Sequence, residues 1–126
     1  MPTLSPYDYA IVRVVPFVER GEYINVGVIL FCRTRRFLEA RMMLDEHRLA
    51  ALAPQLDLAE VQAQLDLILD ICGGAGSIGQ LSLAERFHWL TTPRSTIIQV
   101  SPVHAGLCHD PARVLEHLLK TMVHLA

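Results

Sequence analysis

Tyr23-Ile24-Asn25-Val26-Gly27-Val28-Ile29-Leu30-Phe31-Cys32 is almost wholly β-branched, aromatic or long aliphatic, with only Asn25 and Gly27 out of character. Such a run is strand-forming. Glu19-Arg20-Gly21-Glu22 precedes it as turn material, and Tyr9 to Val15 before that is again strand-like, so a hairpin is predicted. Arg33-Thr34-Arg35-Arg36 reads as a second exposed turn and Phe37 to Met43 as a third strand, which makes a meander. Side chains alternate across a strand. Counting by two places Ile24, Val26, Val28, Leu30 and Cys32 on one face, matched by Ala10, Val12 and Val14, by Leu38, Ala40 and Met42, and by Ile98 and Val100 further on. That face is expected to meet the helices.

The opposite face is mixed: Tyr9, Ile11 and Arg13, then Tyr23, Asn25, Gly27, Ile29 and Phe31, then Glu39 and Arg41, then Ser95, Ile97 and Gln99. It reads either as a solvated face with cross-strand charge pairs or as a dimer or binding platform. Gly27 marks a bulge or a close approach by another group, or it simply accommodates a cross-strand neighbour such as Tyr9.

From Asp45 onward the period changes from two to between three and four. Asp45 caps a short helix carrying Leu49 and Leu52 and closed by Pro54. Asp57-Leu58-Ala59-Glu60 has capping-box spacing, with Leu58, Val61, Leu65, Ile68, Leu69 and Cys72 on one stripe until Gly73-Gly74. Ser82-Leu83-Ala84-Glu85 opens a third helix through Trp89. Ser95 to Ser101 is expected to be a fourth strand, and residues 102–109 a loop. Asp110-Pro111 then starts a last helix whose buried face is Val114, Leu115, Leu118, Leu119, Met122 and Val123. The predicted fold is α+β, a single domain over 1–126: a four-stranded, mainly antiparallel sheet in the order β-β-β-α-α-α-β-α, with helices packed on one face.

The chain has 126 residues, 52% of them hydrophobic, enough for a core without metal or disulfide support. Net charge is −2 with no long basic tract, so bulk attraction to nucleic acid or an anionic membrane is not implied. The longest apolar run falls far short of a membrane span. Cys32, Cys72 and Cys108 fit neither a disulfide framework nor a Cys-x-x-Cys pair, and no signal peptide is visible, so the expectation is a reducing cytoplasm.

Three places carry candidate chemistry. Glu19, Arg20 and Glu22 crowd one turn, and are either solvated or pair with Arg13 or Arg94 beside a cleft for anion binding or acid/base work. His104, Cys108 and His109 are the one metal-like cluster, but their spacing matches no zinc pattern, and Asp110 is engaged as an N-cap; no metal or cofactor is expected. His104 as a lone base has no nucleophile in a recognisable context. The segment Gly73–Gly79 follows a helix and lacks a Gly-Lys-Ser/Thr ending, so it is a connector rather than a phosphate loop.

Tyr9-Ala10-Ile11-Val12-Arg13-Val14-Val15-Pro16, Glu19-Arg20-Gly21-Glu22 and Asn25-Val26-Gly27-Val28 resemble the opening signature of a bacterial family known as domain of unknown function 3037. Pro93-Arg94-Ser95-Thr96-Ile97-Ile98-Gln99 with His104-Ala105-Gly106 resembles its second block. The resemblance spans essentially the whole chain. It brings no catalytic residues, but it draws attention to Arg13, Glu19, Arg20, Gly21, Glu22, Asn25, Arg94, Ser95 and Gln99. It also implies a protein partner, because members are encoded beside kinases similar to the HipA type. The expected function is a non-catalytic interaction or regulatory module, homodimeric through the mixed sheet face. The alternative is an enzyme or a small-ligand or anion binder, using the polar cluster at one end of the sheet.

Overall fold

The computed structural model describes residues 3–94 and 96–124. Its sheet is built on β1 (Ser5–Val14), which pairs antiparallel with three other strands: β2 (Ile24–Cys32), β4 (Ile98–Val100) and β5 (His104–Cys108). β3 (Phe37–Met42) adds to the far side of β2, giving the order β3-β2-β1 with β4 and β5 end to end along the outer side of β1. The α+β class and the antiparallel sheet are as expected, with five strands instead of four. The extra one is β5, which lies where a loop was predicted. A short segment containing Gly106 and following Pro102 carries little strand signal, and only pairing with Ser5–Tyr9 makes it a strand.

β4 and β5 behave as one interrupted strand. Val12 faces Val100 and Tyr9 faces His104, so one chain advances three residues while the other advances four. Ser101 bridges the irregularity: its N–H donates to the Ile11 carbonyl at 2.8 Å and its Oγ accepts from the Ile11 N–H at 2.9 Å. A buried hydroxyl thereby satisfies backbone that regular pairing would have served.

A second irregularity decides the faces. Val12 stands opposite Gly27 but Arg13 stands opposite Asn25, so Val26 is an extra residue in β2. Beyond such a bulge the in-out alternation changes parity. Ile24 and Val26 therefore share a face with Ile29 and Phe31, whereas Val28, Leu30 and Cys32 point the other way. This corrects the sequence-based assignment, which counted by two straight through Gly27. A side chain at Gly27 would run into Met42 and stand 2.7 Å from the Arg41 carbonyl oxygen, so β3 lies too close for any larger residue.

Helices cover both faces, another correction to the expected layout. On the first, α1 (Glu46–Leu52), α2 (Leu58–Cys72), the single turn α3 (Gly76–Gly79) and α4 (Leu83–Thr91) follow in sequence. Leu49, Val61, Leu65, Ile71, Phe87 and Leu90 from these helices meet Val12, Val14, Ile24, Val26, Ile29, Phe31, Leu38 and Ile98 in the larger core. Phe31 and Phe87 stack with centroids 5.4 Å apart. On the second face α5 (Pro111–Leu118) continues into a π-helical turn, Leu119–Val123, and Leu115, Leu118, Leu119 and Val123 bury Ile11, Val28, Leu30, Cys32 and Cys108. Met122, expected on that buried stripe, is exposed. The mixed face that suggested pairing with a second copy is thus largely under α5, and Ile29 and Phe31 belong to the core on the other side.

Helix starts follow the sequence closely. Asp45 accepts from the Arg48 N–H, Asp57 from the Ala59 and Glu60 N–H groups, and Asp110 from the Ala112 N–H. Ser82 and Glu85 form the reciprocal capping box.

Candidate functional site

At the end of the sheet where β1 finishes, the register lines up three polar side chains on the α5 face: Asn25, Arg13 and Gln99, from β2, β1 and β4. The bulge puts Asn25 there, because the extra Val26 re-aims the residues on either side of it. Arg13 is half-buried, with its guanidinium carbon 4.1 Å from the centroid of the Tyr23 ring. That cation–π contact holds the cation without neutralising it. The Asn25 amide donates through Nδ2 to the Met122 carbonyl at 3.0 Å, tying the C-terminal π turn to the start of β2. Gln99 turns back on its own loop, donating from Nε2 to the Thr96 carbonyl at 2.9 Å. Arg13 Nε and Asn25 Oδ1 are buried and without a hydrogen-bond partner.

The charged turn lies at the same end. A 3₁₀ turn, Val18–Arg20, is closed by Gly21 at φ 71°. Arg20 pairs with Glu22 at 2.7 Å and lies over Phe17, 5.3 Å from its centroid; both partners of the ion pair are well exposed. Glu19 is exposed and makes no ion pair among the described residues.

Beside this turn opens a cleft of about 590 Å³, lined by Gly21, Glu22, Tyr23, Ile24, Arg48, Ala51 and Leu52. Its lining combines apolar Ile24, Ala51 and Leu52 with the charged side chains Glu22 and Arg48. Among the described residues the ion pairs are Arg20–Glu22 and Arg41–Glu116, so neither Arg48 nor Arg13 has a carboxylate partner. Glu22 is already engaged by Arg20, while Glu19, Arg13 and Arg48 are the charged side chains at this end without an ion-pair partner among the described residues.

Arg13, Glu19, Arg20, Glu22, Asn25 and Gln99 are therefore brought to one end of the sheet. Arg94 is not among them: it closes on α4, donating to the Trp89 carbonyl at 2.9 Å and covering the indole at 4.4 Å. Ser95 lies outside the described residues. His104 is exposed on β5, its ring 5.4 Å from that of Tyr9, which is four residues or roughly 13 Å along β1 from Arg13. Sequence reasoning did not single out Arg48, and named Tyr23 only as part of the mixed sheet face. The available signal was positional: Arg48 sits three residues after the Asp45 cap, on the stripe that also carries Leu52.

Nucleophile chemistry finds no support at the thiols. Burial pushes the Cys72 thiol up to about 12, and burial also raises Cys108, which lies against the Cys32 thiol. Tyr7 is raised as well, first by desolvation and then by its neighbour Tyr9. Among the described residues no group of His, Cys, Asp and Glu is arranged to hold a metal ion. No single helix among them is long and apolar enough to cross a membrane.

No curated protein and no solved structure matches the chain. The family model described as "Protein of unknown function (DUF3037)" matches residues 9–123, nearly the whole length and all of the sheet-end cluster. The chain belongs to the DUF3037 family.

Proposed function

We propose that this protein is a non-catalytic binding module that recognises an acidic group at the end of the sheet formed by β1, β2 and α1. The observation that carries the reading is the Arg48 guanidinium, which lines the cleft without a carboxylate partner among the described residues. An arginine is suited to this because its planar fork matches carboxylate and phosphate oxygens. Ile24, Ala51 and Leu52 give the remainder of a ligand an apolar surface to cover.

Citrate and inorganic phosphate are suitable probes, followed by amide chemical shifts in the labelled protein. Saturable shifts are expected at residues 21–24 and 48–52, and Arg48→Ala should weaken binding about tenfold or more, the scale of a lost charge-assisted hydrogen bond. Shifts scattered over the surface, or unchanged in Arg48→Ala, would remove the basis for the proposal.

A further inference from the structure

One edge of the sheet is the outer side of β3, the other that of β4 and β5, and the two are unlike. Charges guard the first: Arg33, Arg35 and Arg36 are exposed in the turn that leads into β3, and Glu39 and Arg41 lie on the strand itself. β5 carries no Asp, Glu, Lys or Arg. What is exposed around it is apolar, with Leu107 62%, Leu4 52% and Val103 46% exposed. The carboxylates beside it are Asp8, opposite Ala105 on β1, and Asp110, engaged as the cap of α5. An uncharged, apolar strand edge is a template for another strand, which sheets ordinarily blunt.

The direction of the free backbone groups follows from β1. Ile11 bonds Ser101 through both its N–H and its C=O, so it is turned toward the β4 and β5 side. Alternation along β1 turns Tyr9, Tyr7 and Ser5 the same way. Their partners His104, Gly106 and Cys108 therefore direct their N–H and C=O groups at β1, while those of Ala105 and Leu107 point outward. Between these two lies Gly106, which has no side chain because Tyr7 lies over it: a Cβ there would stand 2.5 Å from the Tyr7 hydroxyl.

We infer that β5 pairs with β5 of a second copy of this chain, antiparallel about a two-fold axis at Gly106, joining the two sheets into one. The edge is its own complement about that point. Ala105 faces the Leu107 of the other copy in both directions, small against large, and each such pair exchanges both outward hydrogen bonds. Gly106 then faces Gly106 at the close, non-hydrogen-bonded position, where the absence of a side chain is needed. No like charges are brought together, whereas β3 paired with itself would bring its charged turn and strand into contact. A five-residue strand with a few apolar neighbours falls below the roughly 800 Å² per partner of a standard interface, so the dimer is a reversible, concentration-dependent one. The inference is independent of the acidic-group reading, which concerns the opposite end of β1.

Sedimentation equilibrium of the full chain from micromolar to millimolar concentration, with amide exchange at both ends of that range, tests it. A reversible dimer is expected. The Ala105 and Leu107 amides should exchange about tenfold or more slowly at high concentration, while His104, Gly106 and Cys108, already bonded to β1, should change little. Leu107→Lys, at an exposed position, should weaken association about tenfold or more and leave the monomer's melt unchanged. Should it melt early, Ala105→Pro removes an outward N–H to the same end without touching the bonds to β1. A wild type that stays monomeric at millimolar concentration overturns the inference. So does a dimer that survives these substitutions, or one in which the Ala105 and Leu107 amides exchange as fast as in the monomer, since its interface then lies elsewhere.

Discussion

The two faces of this sheet are built from the same strands but do different work. The face under α1, α2 and α4 is apolar from Ile24 to Phe31 and closes over its core along most of its length. The face under α5 is apolar only through its middle, at Ile11, Val28, Leu30 and Cys32, and becomes polar where Asn25, Arg13 and Gln99 line up. One strand, β2, supplies both characters, and the extra residue Val26 is what makes this possible. With strict alternation Asn25 would share its side with Ile29 and Phe31, and an amide would interrupt the larger core. The bulge separates them. A single inserted residue lets one strand be core-forming on one face and polar at one end of the other.

Three substitutions test that division, and the largest effect is expected from Ile29→Glu. Ile29 is fully buried in the larger core, so the carboxylate would be left without water or a partner. A loss of about 3–5 kcal/mol is expected, a large fraction of the stability of a small domain, and thermal or urea melts would measure it. A nearly unchanged melt would mean that Ile29 is not part of a sealed core and that the assignment of this face is wrong.

Gly27→Ala acts on the bulge itself. The added methyl must displace Met42 and the Arg41 backbone, and overpacking of this kind costs about 1–3 kcal/mol. Faster amide exchange along β3 should accompany it, because β3 is the strand pushed away. Loss of stability without any change in β3 would place the strain elsewhere.

The smallest effect belongs to the α5 face. Arg41 on β3 and Glu116 on α5 form an ion pair, each side chain roughly two-fifths exposed. Arg41→Met should cost below about 1 kcal/mol, and the cost should shrink further in high salt. A loss comparable with Gly27→Ala would show that this bridge carries the docking of α5, and that the second face is held by charge rather than by Leu115 and Leu118.

Features that depend on local chemistry were legible in the sequence. Asp45, Asp57, Ser82 and Asp110 act as caps because a short acceptor followed by the right neighbours suffices to start a helix, whatever else surrounds it. Face assignment depends on register, and register is a property of two strands together. Asn25 and Gly27 announced an irregularity, but only the pairing with Val12 and Arg13 shows that Val26 is the extra residue. The polar cluster was partly legible, since Arg13, Asn25 and Gln99 share a row once their strands are aligned. Arg94 was misplaced because the Trp89 ring five residues earlier captures it, a local contact that alternation along a strand does not anticipate. Arg48 resembled any solvated helix cation until the turn at Gly21 was brought beside it.

The pairing of β1 also has a consequence in time. Its inner partner β2 follows within one hairpin, but both outer partners, β4 and β5, lie at residues 98–108. During synthesis β1 therefore leaves the ribosome with one side served early and the other unserved until most of the chain has been made. Over that interval its outer edge, from Ser5 to Val14, is a row of unmatched amides and carbonyls on the longest strand of the sheet. The nascent protein is most exposed to mispairing with its neighbours then, and arrival of the His104–Cys108 segment ends the hazard.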